Sequence, residues 1–272
     1  NSIIWTTESS PSNRPERATP FPKRALILSP EPMDDVHCLG GTLHRLANQG
    51  HEVTVAYQTS GNLAVPDTDV RHAIELILEL GQERDGGDEV TLARRVETQL
   101  DEKGRFGEDT AEIRHLKGLI RRGEARSAAR LLELEPRQLR FLDSPFYERG
   151  RYRRFRWDEE DIATLSELLE TIRPHQIFAT GLGHDPLSVP SICFAILEAA
   201  LERLQGAAWL EDCTFWLYRG PGSEWETHGI DMAVPLSPDE FANKLRGIYQ
   251  HQSQRSQSPG RAGKAVGNSW DQ

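Results

Sequence analysis

Residues 24–42 read Arg24-Ala25-Leu26-Ile27-Leu28-Ser29-Pro30-Glu31-Pro32-Met33-Asp34-Asp35-Val36-His37-Cys38-Leu39-Gly40-Gly41-Thr42. The run Ala25 to Leu28 is short and continuously apolar, which predicts a strand covered on both faces. Leu39, Leu43, Leu46 and Ala47 then recur at helical spacing, and Gly50 is placed to stop the helix. Three carboxylates, Glu31, Asp34 and Asp35, therefore stand where a buried strand ends and a helix begins. In α/β sheets, ligand and metal sites gather at the carboxyl ends of strands.

The same alternation continues outward. Val53 to Tyr57 is β-branched and aromatic, a second strand, and Arg71 to Leu80 carries Ile74, Ile77 and Leu78 on one helical stripe. Residues 81–107 are charged and Gly-rich, with a helix near Leu92 to Leu100, and read as an insertion or mobile lobe. Further helices are expected around Ile113 to Ile120, extending through Ala125 to Leu132, then over Ile162 to Ile172, closed by Pro174, and over Ile192 to Leu204. Strands are expected at Leu139 to Leu142, Gln176 to Thr180, Thr214 to Tyr218 and Met232 to Val234. Ser237-Pro238-Asp239-Glu240 is a helix start, with a capping serine, proline in the first turn and acids after it.

Alternating strands and helices predict an α/β fold, a mostly parallel sheet with helices on both faces. The expected organisation is an extended lead-in over 1–23, one domain over 24–252 and a polar, disordered tail over 253–272.

Composition narrows the partners. The chain has 272 residues and a formal net charge of -10, which argues against nucleic acid or an anionic membrane surface. Its basic exceptions, Arg121, Arg122 and the arginines between 149 and 156, read first as solvated arginines. No apolar stretch approaches the roughly 20 residues of a membrane span. The amino-terminal residues lack the charged-then-apolar order of a signal peptide. Cys38, Cys193 and Cys213 are far apart without metal spacing, so a reducing, cytoplasmic compartment is expected.

Six blocks carry a resemblance: SPEPMDDVHCLGGTLHRLANQGHEVTVAYQTSGNLAV (29–65), LKGLIRRGEARSAAR (116–130), FLDSPFYERGR (141–151), RPHQIFATG (173–181), WLYRG (216–220) and EWETHGIDMAVPLSPDE (224–240). In this order they resemble the LmbE/PIG-L family of zinc-dependent N-deacetylases, in the branch found fused to glucosamine-6-phosphate deaminase-like domains. Similarity runs from about Asn13 to Gln254. The resemblance implies a Rossmann-like sheet.

The family's first motif is His-Pro-Asp-Asp, in which the His and the second Asp bind zinc and the first Asp is the general base. On this chain those positions are Glu31, Asp34 and Met33. The branch's second motif resembles Asp-Pro-His-Gly-Thr-His, whose first His stabilises the oxyanion and whose last His completes the metal site. Here it reads Asp185-Pro186-Leu187-Ser188-Val189-Pro190, so Leu187 and Pro190 replace both histidines.

Zinc hydrolysis needs three protein ligands that leave a water-derived nucleophile with a pKa of about 7, and a carboxylate to take its proton. Methionine, leucine and proline supply none of this. The expectation is a non-hydrolytic or repurposed pocket for a small polar, sugar-like ligand, without a cofactor. Its acid–base candidates are Glu31, Asp34, Asp35, His184 and Asp185, and its ligand-binding candidates are Arg71, His228, Gly40 and Gly41. Arg71 matches a family arginine that contacts substrate, and His228 and Asp231 lie in a segment near the branch's pocket. Gly40 and Gly41 let the helix approach the sheet and expose N–H groups to an anion.

Two alternatives stand beside it. One is an active amidase with a rebuilt site, in which Glu31 and Asp34 bind a divalent zinc, magnesium or manganese. The other is a structural or regulatory partner domain, with a homo-oligomer as the default assembly. A plainer role for Glu31, Asp34 and Asp35 is to cap the first turn of the helix they precede. His184 equally reads as an ordinary loop histidine, Arg71 as a surface helix residue, and Trp216 and Trp225 as core or as platforms for a sugar ring.

Overall fold

The structure is a computed structural model that describes residues 20–82, 87–104, 107–149, 155–181, 185–220 and 225–254. In chain order the regular elements are β1 (Arg24–Ser29), α1 (Asp34–Asn48), β2 (Glu52–Tyr57), α2 (Asp67–Gln82), α3 (Asp88–Lys103), α4 (Ala111–Leu131), β3 (Leu139–Phe141), α5 (Pro145–Arg149), α6 (Glu159–Ile172), β4 (Gln176–Thr180), α7 (Val189–Arg203), α8 (Ala208–Glu211), β5 (Thr214–Tyr218) and α9 (Pro238–Ile248). They gather into two compact units, one formed by residues up to 60 with 126–250, the other by 61–125 with the residues from 251.

The first unit holds a five-stranded sheet in the order β3-β2-β1-β4-β5. Every pairing is parallel: Ile27 lies between Val55 of β2 and Phe178 of β4. Ala25 to Leu28 are at most 1% exposed, as a continuous apolar run requires. Leu26 and Leu28 join Ile177, Leu165, Leu169, Ile196 and Leu197 in a core under α6 and α7. With side chains alternating along a strand, Ala25 and Ile27 point to the opposite face, where α1 packs on β1 and β2 and α9 packs on α1. The α/β sheet with helices on both faces is as the sequence predicts. The strand order reverses between β1 and β4, and a crevice opens outside the carboxyl ends at such a point.

Capping side chains fix the helices that frame this crevice. Asp158 accepts from the Glu160 N–H and Asp161 from the Asp158 N–H, a reciprocal box at the start of α6. The other Asp161 oxygen accepts from the Phe146 N–H at 3.0 Å, which anchors the short helix α5. The start of α9 is as expected, with Ser237 and Glu240 bonded reciprocally. Glu240 also pairs with Arg45 of α1 at 2.9 Å.

The second unit packs α2, α3 and the first part of α4 around Val70, Ile74, Ala93, Val96, Leu100, Ile113 and Leu116. Lys103 and Lys117 alternate with Asp67 and Asp109 in a closed ring of ion pairs. Burial works against the Lys103 charge, but its hydrogen bonds and attraction to Asp109 and Asp67 outweigh this and raise its pKa above the ordinary lysine value.

Some expectations need correction. Within 81–107, the helix is not confined to Leu92–Leu100 but runs over Asp88–Lys103, with Ala93, Val96 and Leu100 buried. Met232 to Val234 form no strand; Met232 is buried as a packing residue instead. Ser253 and Gln254 are ordered, since Ser253 bonds to Glu124; the lead-in to residue 19 and the tail from 255 lie outside the described residues. Among the described residues no helix is long and apolar enough to cross a membrane.

Gly40 and Gly41 sit inside α1, where their N–H groups belong to the helix ladder rather than to an anion site. Their close approach is to the α9 side. A Cβ on Gly40 would lie 3.0 Å from Lys244 Cγ, and one on Gly41 would lie 2.1 Å from Leu236 Cδ2. Gly123, within α4, has nothing within 4 Å of an added Cβ. Gly41→Ala is therefore expected to destabilise by about 1–3 kcal/mol through overpacking, against its gain in helix propensity. Gly123→Ala should instead stabilise by about 0.5–1 kcal/mol. Urea denaturation of the two variants checks the opposite signs.

Candidate functional site

The turn after β1 is held by short-range hydrogen bonds. The Ser29 hydroxyl donates to the Glu31 carbonyl at 2.7 Å and accepts from the Asp35 N–H at 3.2 Å. Glu31 N–H donates to Asp34 Oδ2 at 3.0 Å, and Asp34 N–H donates back to the Glu31 carbonyl at 3.2 Å. Thr59, beyond β2, donates both its N–H and its hydroxyl to the Pro30 carbonyl. One consequence is local strain: Met33 has φ 110 and ψ -31, a conformation that costs an L residue of order 1–3 kcal/mol.

Of the three carboxylates expected to cap the helix, Asp35 has the backbone N–H groups of Val36, Met33 and Asp35 itself beside it. Met33 is the N-cap residue and gives no side-chain cap, and Asp34 accepts the Glu31 N–H outside the helix. Ser29 does the capping, by accepting from Asp35.

Each carboxylate has a different setting. Glu31 Oε1 accepts from the Tyr147 hydroxyl at 3.2 Å. Tyr147 is buried on α5 and stacks on Phe155 with centroids 5.5 Å apart. Asp35 is 1% exposed. Its Oδ2 accepts from the Tyr57 hydroxyl at 2.9 Å, and its Oδ1 has no hydrogen-bond partner. Burial pushes its pKa up to about 6, with the Tyr57 hydroxyl and the neighbouring backbone N–H groups opposing. Asp34 and Glu31 lie close enough to Cys193 of α7 to reinforce burial in raising its thiol well above the usual range. Cys193 is therefore an inert thiol in the wall of the site. Tyr218, at the end of β5, is shifted up mainly by burial and next by Asp34, and its hydroxyl donates to the Leu28 carbonyl at 2.7 Å.

The facing loop after β4 contributes less. His184 lies outside the described residues. Asp185 accepts from the Leu187 N–H at 2.9 Å, and its carbonyl accepts from the Ser188 and Ser191 hydroxyls. It thus shapes the turn into α7, where Ser188 is the N-cap and Pro190 stands in the first turn. Leu187 is 52% exposed. His228 is exposed on its own loop, 3.5 Å from Glu226. Arg71 belongs to the second unit, where it pairs with Asp101 at 2.9 Å.

The structure thus brings together Glu31, Asp34 and Asp35, and adds three tyrosines that were not singled out from the sequence: Tyr57, Tyr147 and Tyr218. Tyr147 was findable, since it sits in the block FLDSPFYERGR; its partner 116 residues away was not.

The donor set can be tested against the zinc that the resemblance implies. Glu31 and Asp34 offer oxygen, while Leu187 and Pro190 offer no side-chain donor. Among the described residues no three His, Cys, Asp or Glu side chains are grouped to hold an ion. Among the described residues, two carboxylates that each already accept a hydrogen bond do not make up the three protein ligands of a catalytic zinc.

Asp35 makes stability depend on pH. A carboxyl whose folded pKa, about 6, exceeds its ordinary 3.8 stabilises the fold while protonated and loses that contribution as pH rises through about 6. Relative to Asp35→Asn, the wild type should lose about 3 kcal/mol of unfolding free energy between about pH 4 and pH 7. Paired urea melts across that range check the sign.

Comparison with known proteins agrees with this architecture. Residues 26–187 match the family PIG-L, GlcNAc-PI de-N-acetylase. A glucosamine-6-phosphate deaminase-like protein of Bacteroides thetaiotaomicron is 43% identical over 251 residues, 90% of this chain and 38% of that protein. The chain therefore spans less than two-fifths of the length of this curated relative. Among solved structures, N,N'-diacetylchitobiose deacetylase from Pyrococcus horikoshii, complexed with an inhibitor, has a TM-score of 0.53 at 19% identity, covering 89% of this chain and 73% of that one. A deacetylase triple mutant from the teicoplanin biosynthetic pathway has a TM-score of 0.50 at 17% identity, covering 88% and 86%. At such identities the structural likeness is one of fold. The family match extends over more than half of the residues, from β1 to the turn before α7, and so the chain belongs to the PIG-L, or LmbE-like, deacetylase family.

Proposed function

We propose that this PIG-L family member binds a small polar, sugar-like ligand at the ends of β1 and β4 and does not hydrolyse it. The observation that carries this reading is Met33. It occupies the position of the family's general base in a strained backbone conformation, yet a thioether accepts no proton at neutral pH. The turn keeps its shape while the proton acceptor is missing.

The remaining groups suit binding. Glu31 and Asp34 are acceptors for sugar hydroxyls, and charge-assisted hydrogen bonds of this kind are the stronger ones. The Tyr147 hydroxyl orients Glu31, and the Glu31 N–H orients Asp34. Asp35, buried behind them, sets the turn and is not presented to a ligand. The similar diacetylchitobiose deacetylase and the deaminase-like relative make amino sugars the first class to try.

Purified protein should release no acetate from N,N'-diacetylchitobiose or N-acetylglucosamine, and should hold substoichiometric zinc by elemental analysis. Zinc, manganese or magnesium should leave its Tm unchanged. Glucosamine or N-acetylglucosamine should bind in isothermal titration, with Glu31→Ala and Asp34→Ala each raising Kd about tenfold to a hundredfold. Stoichiometric zinc together with acetate release overturns the reading.

A further inference from the structure

The two edges of the sheet differ in kind. At one edge β3 has three residues, with the charged Arg140 exposed at its centre and Pro136 shortly before it. Short, charged edges resist pairing with another chain. At the other edge β5 has five residues, Thr214-Phe215-Trp216-Leu217-Tyr218, without a charge or a proline. Nothing in that strand blunts the edge.

Register decides which of its main-chain groups are left over. The Thr214 N–H donates to the His175 carbonyl and the Gly181 N–H to the Tyr218 carbonyl, in step with the pairing of Thr214 to Tyr218 with Gln176 to Thr180. Main-chain groups alternate in direction along a strand. Thr214, Trp216 and Tyr218 therefore turn theirs toward β4, and Phe215 and Leu217 turn theirs outward. Among the described residues neither the N–H nor the carbonyl of Phe215 or Leu217 forms a hydrogen bond. Trp225 and residues 229–232 line a cavity together with β5, yet none of them bonds to its main chain.

The side chains point the same way. Phe215 and Leu217 share a sheet face with their register neighbours Ile177 and Ala179. At β4 that face is part of the core under α6 and α7. At β5 it continues uncovered, with Phe215 40% and Leu217 48% exposed. An apolar strip beside open main-chain groups is the arrangement to which a strand from another chain adds.

A second copy of β5 is complementary to it. In an antiparallel pair about a two-fold axis through Trp216, Phe215 stands opposite the partner's Leu217, and Leu217 opposite the partner's Phe215. All of these residues face outward, so each pair exchanges both of its main-chain hydrogen bonds and sets an aromatic ring against a branched aliphatic chain. The ends match in charge. Asp212 precedes the strand, and Arg219, whose guanidinium lies over the Trp225 ring, follows it. Antiparallel pairing brings the aspartate end of each copy to the arginine end of the other.

We propose that β5 is the edge at which two copies of this chain join, antiparallel, into one continuous sheet. The contact is isologous, the commonest kind in homodimers. Every strand within one copy is parallel, so the two β1 turns point to opposite ends of the joined sheet. The assignment is therefore independent of the reading of the β1 turn.

Sedimentation velocity of the full chain across a concentration series should show a reversible association whose smallest assembly is a dimer. Leu217→Lys, at an exposed position, should raise the dimer Kd about tenfold or more. Leu217→Pro should do the same while the monomer stays folded, because the N–H that it removes faces away from β4 and no bond within the sheet is lost. Arg140→Glu, on the opposite edge, should leave Kd unchanged. Circular dichroism checks each fold, and Leu217→Lys carries the test if Leu217→Pro does not fold. Amide exchange of the unaltered chain gives a second readout: the Phe215 and Leu217 N–H groups should exchange about tenfold faster on dilution below Kd. A chain that stays monomeric, an assembly of any size that the folded Leu217 variants leave intact, one dispersed equally by Arg140→Glu, or exchange at 215 and 217 that ignores dissociation overturns the proposal.

Discussion

The Ser29 hydroxyl, which donates to the Glu31 carbonyl and accepts from the Asp35 N–H, is the small contact on which the arrangement at the β1 turn depends. Ser29 is itself held as the last residue of a fully buried parallel strand, paired with Tyr57 of β2. The chain must pass from that strand into α1 within four residues, and the hydroxyl closes the turn. Met33 takes the strained conformation as a result, and the three carboxylates are dealt to three environments: one toward Tyr147, one toward the backbone and one into the interior.

That partition separates the residues that hold the turn from those presented at its surface. Asp35, Tyr57 and Ser29 belong to the fold, and any residue at position 33 that tolerates the backbone leaves them undisturbed. The side chains at positions 31, 33, 187 and 190, where the resemblance places the family's metal and base groups, are half-buried or exposed. Exchange of those side chains costs the fold little and costs a metal site its donors. The sheet of a PIG-L protein and the donor set of its site are thus physically separable.

Much of the architecture was legible in the residues because it follows from local periodicity. The continuous apolar run Ala25 to Leu28, the strand at Gln176 to Thr180, helical stripes between them, and the Ser237 to Glu240 cap all correspond to elements of the fold. Met232 to Val234 misled because a short apolar run suits a strand and a packed loop equally. The helix expected near Leu92 to Leu100 is longer, Asp88–Lys103, and its full extent was hidden because its buried face is narrow, with Ala93, Val96 and Leu100. Gly40 and Gly41 read correctly as points of close approach, but toward α9 and Leu236 and not toward the sheet or an anion.

The sequence by itself determined the parallel α/β design, the carboxylate-bearing turn at a strand end, and the absence of proton acceptor or nitrogen donor at Met33, Leu187 and Pro190. Those are properties of residue identity and short-range spacing. Only the tertiary structure decided that Glu31 meets Tyr147, that Asp35 is sealed against Tyr57, and that Arg219 stacks on Trp225. The reason is physical. A helix or strand declares itself through the period of its own side chains, whereas a hydrogen bond between distant residues exists only where packing carries both groups to one place.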